Sequence, residues 1–257
     1  MTLLLHRKRR ITRDHKLDVW YKKFCSSESL ISDFIAHDPV QFPHRFAALA
    51  RKNLVDIEIA AFLAATIAWG RRDLIIRSAE KMFALMGPSP ADFVMQGNYR
   101  KLKNNNIHRT FFEGDLKYFC KGFKSCYAKY GSLEKLFASD RDIWEGISLF
   151  REEMAAANGG SYSKHIANPG ANSACKRINL ALRWLVRKGP VDLGLWKSIS
   201  PSALYIPLDV HVARTGRKLG LLQRKSNDKK AVIELTEKLR EFCPQDPVKY
   251  DFALFSL

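Results

Sequence analysis

From Ile57 to Trp69 the chain reads IEIAAFLAATIAW, with Glu58 the single charged position in thirteen. An apolar helix without a polar face has no side to give to water, so it must be covered all round. Helical spacing recurs before it. Val19, Trp20 and Phe24, then Leu30, Ile31, Phe34 and Ile35, repeat at helical intervals until Asp38-Pro39 and Phe42-Pro43 interrupt them. Strand-like alternation is scarce, and no internal repeat is visible. The patterns predict an all-α protein of about ten or more helices, with Asp56 capping the central one. A chain of 257 residues, 46% of them hydrophobic, is large enough to cover it.

Beyond the core helix, Gly70-Arg71-Arg72 reads as a tight turn that leaves two basic side chains on an exposed corner. Asp73 then opens a helix with apolar Ile75, Ala79, Met82, Phe83 and Met86, closed by Gly87-Pro88. A loop at Asn104-Asn105-Asn106 precedes a helix opened by Asp115, with Leu116, Phe119, Cys120, Phe123 and Tyr127 on one face and Lys117, Lys121 and Lys124 on another. That lysine stripe is either a solvated face or a phosphate track. Near the C-terminal end, Asp246-Pro247 has the form of an N-cap and first-turn pair, with Phe252 and Phe255 to bury.

Lys and Arg outnumber Asp and Glu by 43 to 26, a net charge of +17. Such an excess suits a polyanionic partner, nucleic acid first, although a merely basic globular protein would also carry it. No apolar run approaches the about 20 residues that span a bilayer, so no membrane partner is expected. The segment MTLLLHRKRR puts its leucines ahead of its charges and is too short for a secretory signal, which predicts a cytoplasmic, nucleoid-associated protein. Residues 1 to 12 form a basic arm able to touch phosphate. Cys25, Cys120, Cys126, Cys175 and Cys243 are odd in number and form no CxxC pair, so neither a disulfide framework nor a metal site is indicated.

The chemistry concentrates between Ser173 and Leu222. Ser173 as N-cap would put Lys176 in the first turn of a helix whose apolar arc is Ile178, Ala181, Leu182, Leu185 and Val186. Lys176, Arg183 and Arg187 then fall within roughly 40° of one another on the opposite side. A helix N-terminus and cationic neighbours disfavour an ammonium ion, which eases the way to an amine nucleophile; a solvated basic face is the plainer reading. Asp209, after Pro207, caps the helix that follows, and His211 in its first turn is either an acid–base residue or a structural one.

Pro207-Leu208-Asp209-Val210-His211-Val212-Ala213-Arg214, followed by Lys218-Leu219-Gly220-Leu221, resembles the P-V-D-T-H-V-x-R…R-L-G-L segment of the helix-hairpin-helix DNA glycosylase superfamily, and Asp209 falls on its essential aspartate. Ala65-Thr66-Ile67-Ala68-Trp69-Gly70-Arg71-Arg72-Asp73 resembles the L-L-S-x-Q-x-x-D stretch of endonuclease-III-like members, whose turn enters the DNA. The family hairpin reads L-P-G-V-G-x-K-T-A. Here Pro169-Gly170-Ala171-Asn172-Ser173-Ala174-Cys175-Lys176 lacks the second glycine, and the lysine comes two places late. The interval to the aspartate, 209 − 176 = 33, is similar to that of the archaeal oxidised-guanine branch.

The resemblance implies two helical lobes with a DNA cleft between them: residues 51–204, with the Gly70 turn and Lys176, and residues 1–50 joined to 205–257, with Asp209. It implies base excision from double-stranded DNA carrying a damaged base, oxidised guanine by the spacing, or an abasic site. Lys176 would attack the sugar and form a Schiff base, giving AP lyase activity, while Asp209 stabilises the sugar cation or takes the amine's proton. Gly70, Arg71, Arg72, Arg183, Arg187 and His211 would contact DNA. The expected protein is a monomer that needs no cofactor or metal. A non-catalytic DNA-structure binder and an RNA-binding or RNA-processing protein are compatible with the same charge.

Overall fold

The computed structural model of the chain describes residues 16–50, 53–138 and 142–256. The basic arm expected over residues 1 to 12 lies outside them. Helix accounts for 64% of the structure, as an all-α protein requires. Helix α1 runs over 16–25, and α2 (Glu28–Ala36), α3 (Gln41–Ala47), α4 (Leu54–Thr66), α5 (Arg72–Met86) and α6 (Pro90–Met95) follow. A hairpin, β1 (Asn106–His108) and β2 (Phe111–Phe112), leads into α7 (Glu113–Tyr130), α8 (Leu133–Ala138) and α9 (Ile143–Ala156). The last four are α10 (Lys176–Val186), α11 (Val210–Lys218), α12 (Lys229–Phe242) and α13 (Asp251–Ser256).

Helix α4 is the centre that its composition demands. Every residue from Asp56 to Thr66 is buried, with α3, α6 and α10 packed against it. Phe62 anchors an aromatic cluster with its ring 5.2 Å from that of Phe150, 5.7 Å from Phe137 and 6.2 Å from Trp196. Burying one such side chain contributes about 1.5–3 kcal/mol. The charge in the run, Glu58, is tolerated because its carboxylate accepts from Tyr127 Oη at 2.8 Å and Trp196 Nε1 at 2.7 Å. Burial nevertheless raises its pKa against those hydrogen bonds.

Several boundaries differ from the expected ones. Asn53, not Asp56, caps α4, its side chain accepting from Val55 N. Asp56 lies inside the first turn and reaches across to α6, where it accepts from Ser89 Oγ at 2.9 Å and Ala91 N at 2.7 Å. Helix α4 ends at Thr66, three residues short of Trp69. Asp115 sits in the first turn of α7 rather than at its start and accepts from Phe112 N. The asparagine loop runs into a two-stranded antiparallel hairpin, with Asn106 opposite Phe112 and His108 opposite Phe111. Two buried side chains, Ile107 and Phe111, anchor it; so short a strand has no room to display alternation.

The apolar face read into α7 is buried as expected, while Lys117 and Lys124 fold back onto the carbonyls of Leu102 and Met95. The N- and C-terminal helices meet. Phe24 of α1 stacks on Phe252 of α13 at 5.4 Å, and Phe34 of α2 packs edge-on against the same ring at 5.5 Å. Helix α13 also lies against α11, so the first and last described helices meet behind the Asp209 segment. No helix among the described residues is long and apolar enough to cross a membrane.

Candidate functional site

Helix α10 starts at Lys176 because the preceding Cys175 takes a left-handed conformation, φ 47°, which a helix cannot continue. Ser173 does not cap it. Its backbone instead bridges to Asp228, and its Oγ accepts from Cys175 N at 3.4 Å. Ahead of it Pro169–Ala171 forms a single 3-10 turn. Asp209 does cap α11, its Oδ1 accepting from Val212 N at 2.9 Å. That leaves Oδ2 free to face Lys176, whose Nζ lies 3.4 Å away. The amine side chain is 32% exposed and the carboxylate 15%, so the pair is shielded yet reachable.

The pair lines a cavity of about 450 Å³ with Trp69, Gly70, Arg72, Asp38, Asp251 and Phe255. This is the size range of small-molecule sites. Trp69 is held on three sides: the His165 ring stacks at 5.7 Å, the His108 ring meets it edge-on at 4.8 Å, and the Arg177 guanidinium lies 5.1 Å from its centroid. A platform fixed in this way can stack a planar ligand with little loss of side-chain entropy. Asp251 contributes a buried carboxyl whose Oδ2 accepts from Arg183 Nη1 while Oδ1 has no partner among the described residues.

Burial pushes Asp251 up to about 7, against the nearby Arg183, and Asp209 and Asp192 push the same way. An unfolded aspartate releases its proton near 3.8. Stability carried by this proton is therefore fully present below that value and is lost as pH rises through about 7. Asp251→Asn cannot ionise, so in thermal melts its stability should fall less than that of the wild type between about pH 5 and pH 8. Parallel profiles would rule out a carboxyl held neutral in this cavity.

The family model described as "Protein of unknown function (DUF2400)" matches residues 38–257, from Asp38 on the cavity wall to the C-terminal residue. The chain belongs to the DUF2400 family. Neither the curated proteins nor the solved structures contain a match to it. The DUF2400 region takes in both members of the ion pair and all six of the other wall residues named above.

In this DUF2400 chain the remaining expected site residues divide. Gly70 occupies the turn with φ 101°, and a Cβ there would stand 2.7 Å from Arg109 Nη1 at the tip of the β-hairpin. Arg71 points to solvent and is held by both oxygens of Asp73. Arg72 lies over the Phe255 ring at 5.3 Å, at the cavity. His211 lines the cavity as well; its ring stands 5.8 Å from that of Phe255, and Nδ1 is 3.3 Å from Arg214 Nη2.

Arg183 and Arg187 are the correction. The wheel put them on an exposed basic face with Lys176, but they are 3% and 1% exposed. Arg183 pairs with Asp192 and Asp251; Arg187 pairs with Asp192 at 2.8 Å and Asp246 at 2.9 Å and donates to Tyr21 Oη. Asp246 is thereby drawn away from the N-cap role expected of it, and its side chain makes no cap bond. Arg187 is closed off from any phosphate. Arg183 reaches the cavity wall only as the partner of Asp251. No motif singled out Trp69, Asp38 or Asp251; the first two had position as their one signal, an aromatic before a turn glycine and an acid where the helical pattern breaks, and Asp251 had none.

Proposed function

We propose that this protein is a DNA glycosylase of base-excision repair with AP lyase chemistry, acting on double-stranded DNA that carries a damaged base or an abasic site. The observation that carries the reading is the 3.4 Å approach of Lys176 Nζ to Asp209 Oδ2 beside a cavity of about 450 Å³. An amine and a carboxylate in contact are what imine chemistry at a sugar carbon needs, and the net charge of +17 suits a phosphate backbone. The 33-residue interval favours oxidised guanine as the base.

In this reading the nucleotide leaves the stack, which costs a few kcal/mol, and the corner at Gly70, Arg71 and Arg72 fills the gap. The two lobes of residues 51–204 and 1–50 with 205–257 would hold the duplex between them. Lys176 gives up a proton to Asp209 and its lone pair bonds to C1′ as the C1′–N bond breaks; the departing base takes the electron pair and a proton. Opening of the sugar ring at C1′–O4′ then gives the imine, and loss of a C2′ proton expels the 3′ phosphate. Asp209 passes its acquired proton to the departing base and, again a carboxylate, stabilises the positive charge of the iminium.

The test is Asp209→Asn. Asparagine caps a helix about as well as aspartate, so the fold and the affinity for duplex DNA should be nearly unchanged. Excision from a lesion-bearing duplex in single-turnover assays should fall about a hundredfold or more. Undiminished excision, or a variant that unfolds, would reduce Asp209 to a helix cap.

A further inference from the structure

We propose that Asp38 is the specificity-determining contact of the cavity, accepting an N–H from the base that the site draws in. The inference rests on the glycosylase reading above. Asp38 closes helix α2's side of the cavity from the α2–α3 turn. Its Oδ1 is used by the turn itself, accepting from Val40 N at 3.0 Å, while Oδ2 has no partner among the described residues. Of the other two wall carboxyl groups, Asp209 faces Lys176, and Asp251 holds Arg183 through Oδ2 while its unpartnered Oδ1 is buried out of a ligand's reach. A half-buried carboxylate oxygen with no protein donor is an acceptor awaiting a ligand donor.

Burial raises the pKa of Asp38, and the Val40 N–H and the charges of Arg183, Arg72 and Lys176 oppose that rise. At its unpaired oxygen a base bearing an N–H would be stabilised, while one presenting a bare lone pair at that edge would be repelled. Oxidised guanine, guanine and hypoxanthine all offer ring N–H donors. The chemical class assigned is a purine that turns such a donor toward Asp38, stacked on Trp69.

The experiment compares the wild type with Asp38→Asn and Asp38→Ser on two probes, an 8-oxoguanine duplex and the same duplex carrying an abasic site. Asparagine and serine both keep the side-chain acceptor that the turn needs but remove the free carboxylate oxygen. Losing a hydrogen bond to a charged group should lower the ratio of base excision to borohydride-trapped abasic adduct roughly 10- to 100-fold in both variants. An unchanged ratio, including one in which both readouts fall together, overturns the assignment and leaves Asp38 a turn residue. A wild type that neither excises the base nor forms the adduct overturns the glycosylase reading itself, and the role of Asp38 falls with it.

Discussion

Replacing Lys176 by glutamine is expected to abolish the protein–DNA adduct that borohydride traps on an abasic duplex. An amine bonded to C1′ becomes an imine that hydride reduces to a stable secondary amine, whereas a water nucleophile leaves nothing to reduce. Lys176 stands in the first turn of α10 with its Nζ 3.4 Å from Asp209. Its neighbour Arg177 donates to the carbonyl of Thr66 and, as a guanidinium, cannot replace it. Glutamine keeps the length and the polar end of the side chain, and the position is partly exposed, so the fold should lose little. An adduct that survives the substitution would assign the chemistry to another amine. Excision without any adduct in the wild type would make Asp209 the activator of a water molecule and Lys176 its ion-pair partner.

The all-α class and the core were legible because burial leaves a local trace. The run from Ile57 onward has no polar face, and the structure buries it from Asp56 to Thr66. The Lys176–Asp209 contact was legible for a different reason: a capping aspartate after a proline and a helix-opening lysine are local features, and only their meeting depends on the fold. Arg183 and Arg187 were misplaced because a helical wheel assigns charge to the solvent side by default. The carboxyl groups that pair with them are Asp192, Asp246 and Asp251, two of them 59 and 68 residues away in the chain, and nothing in the pattern of α10 announces a pairing at that range. Trp69 was misassigned for a similar reason. Its apolar character continues the α4 pattern, yet the helix stops at Thr66, and the next residues instead deliver the ring to the cavity.

The burial of Arg187 turns an expected DNA contact into the largest expected stability effect in the chain. Its guanidinium meets Asp192, Asp246 and the Tyr21 hydroxyl at once, and Phe252 lies 5.7 Å beneath it. Gly189 leaves it room, since a Cβ there would collide with Nη1. Burial lowers the guanidinium's pKa, but Asp192 and Asp246 more than offset this and hold it charged. Removing the arginine strands the partly buried Asp246 and leaves the fully buried Asp192 to Arg183 alone. Breaking a buried pair in this way costs about 3–5 kcal/mol, much of it the penalty of the charge left behind. Arg187→Gln should therefore lower the denaturant midpoint by an amount corresponding to that loss, and Arg187→Lys should rescue little, because an ammonium lacks the planar fork that engages several partners. If Arg187→Gln instead leaves stability unchanged and weakens binding to every duplex equally, with a shallower salt dependence, the side chain reaches phosphate after all.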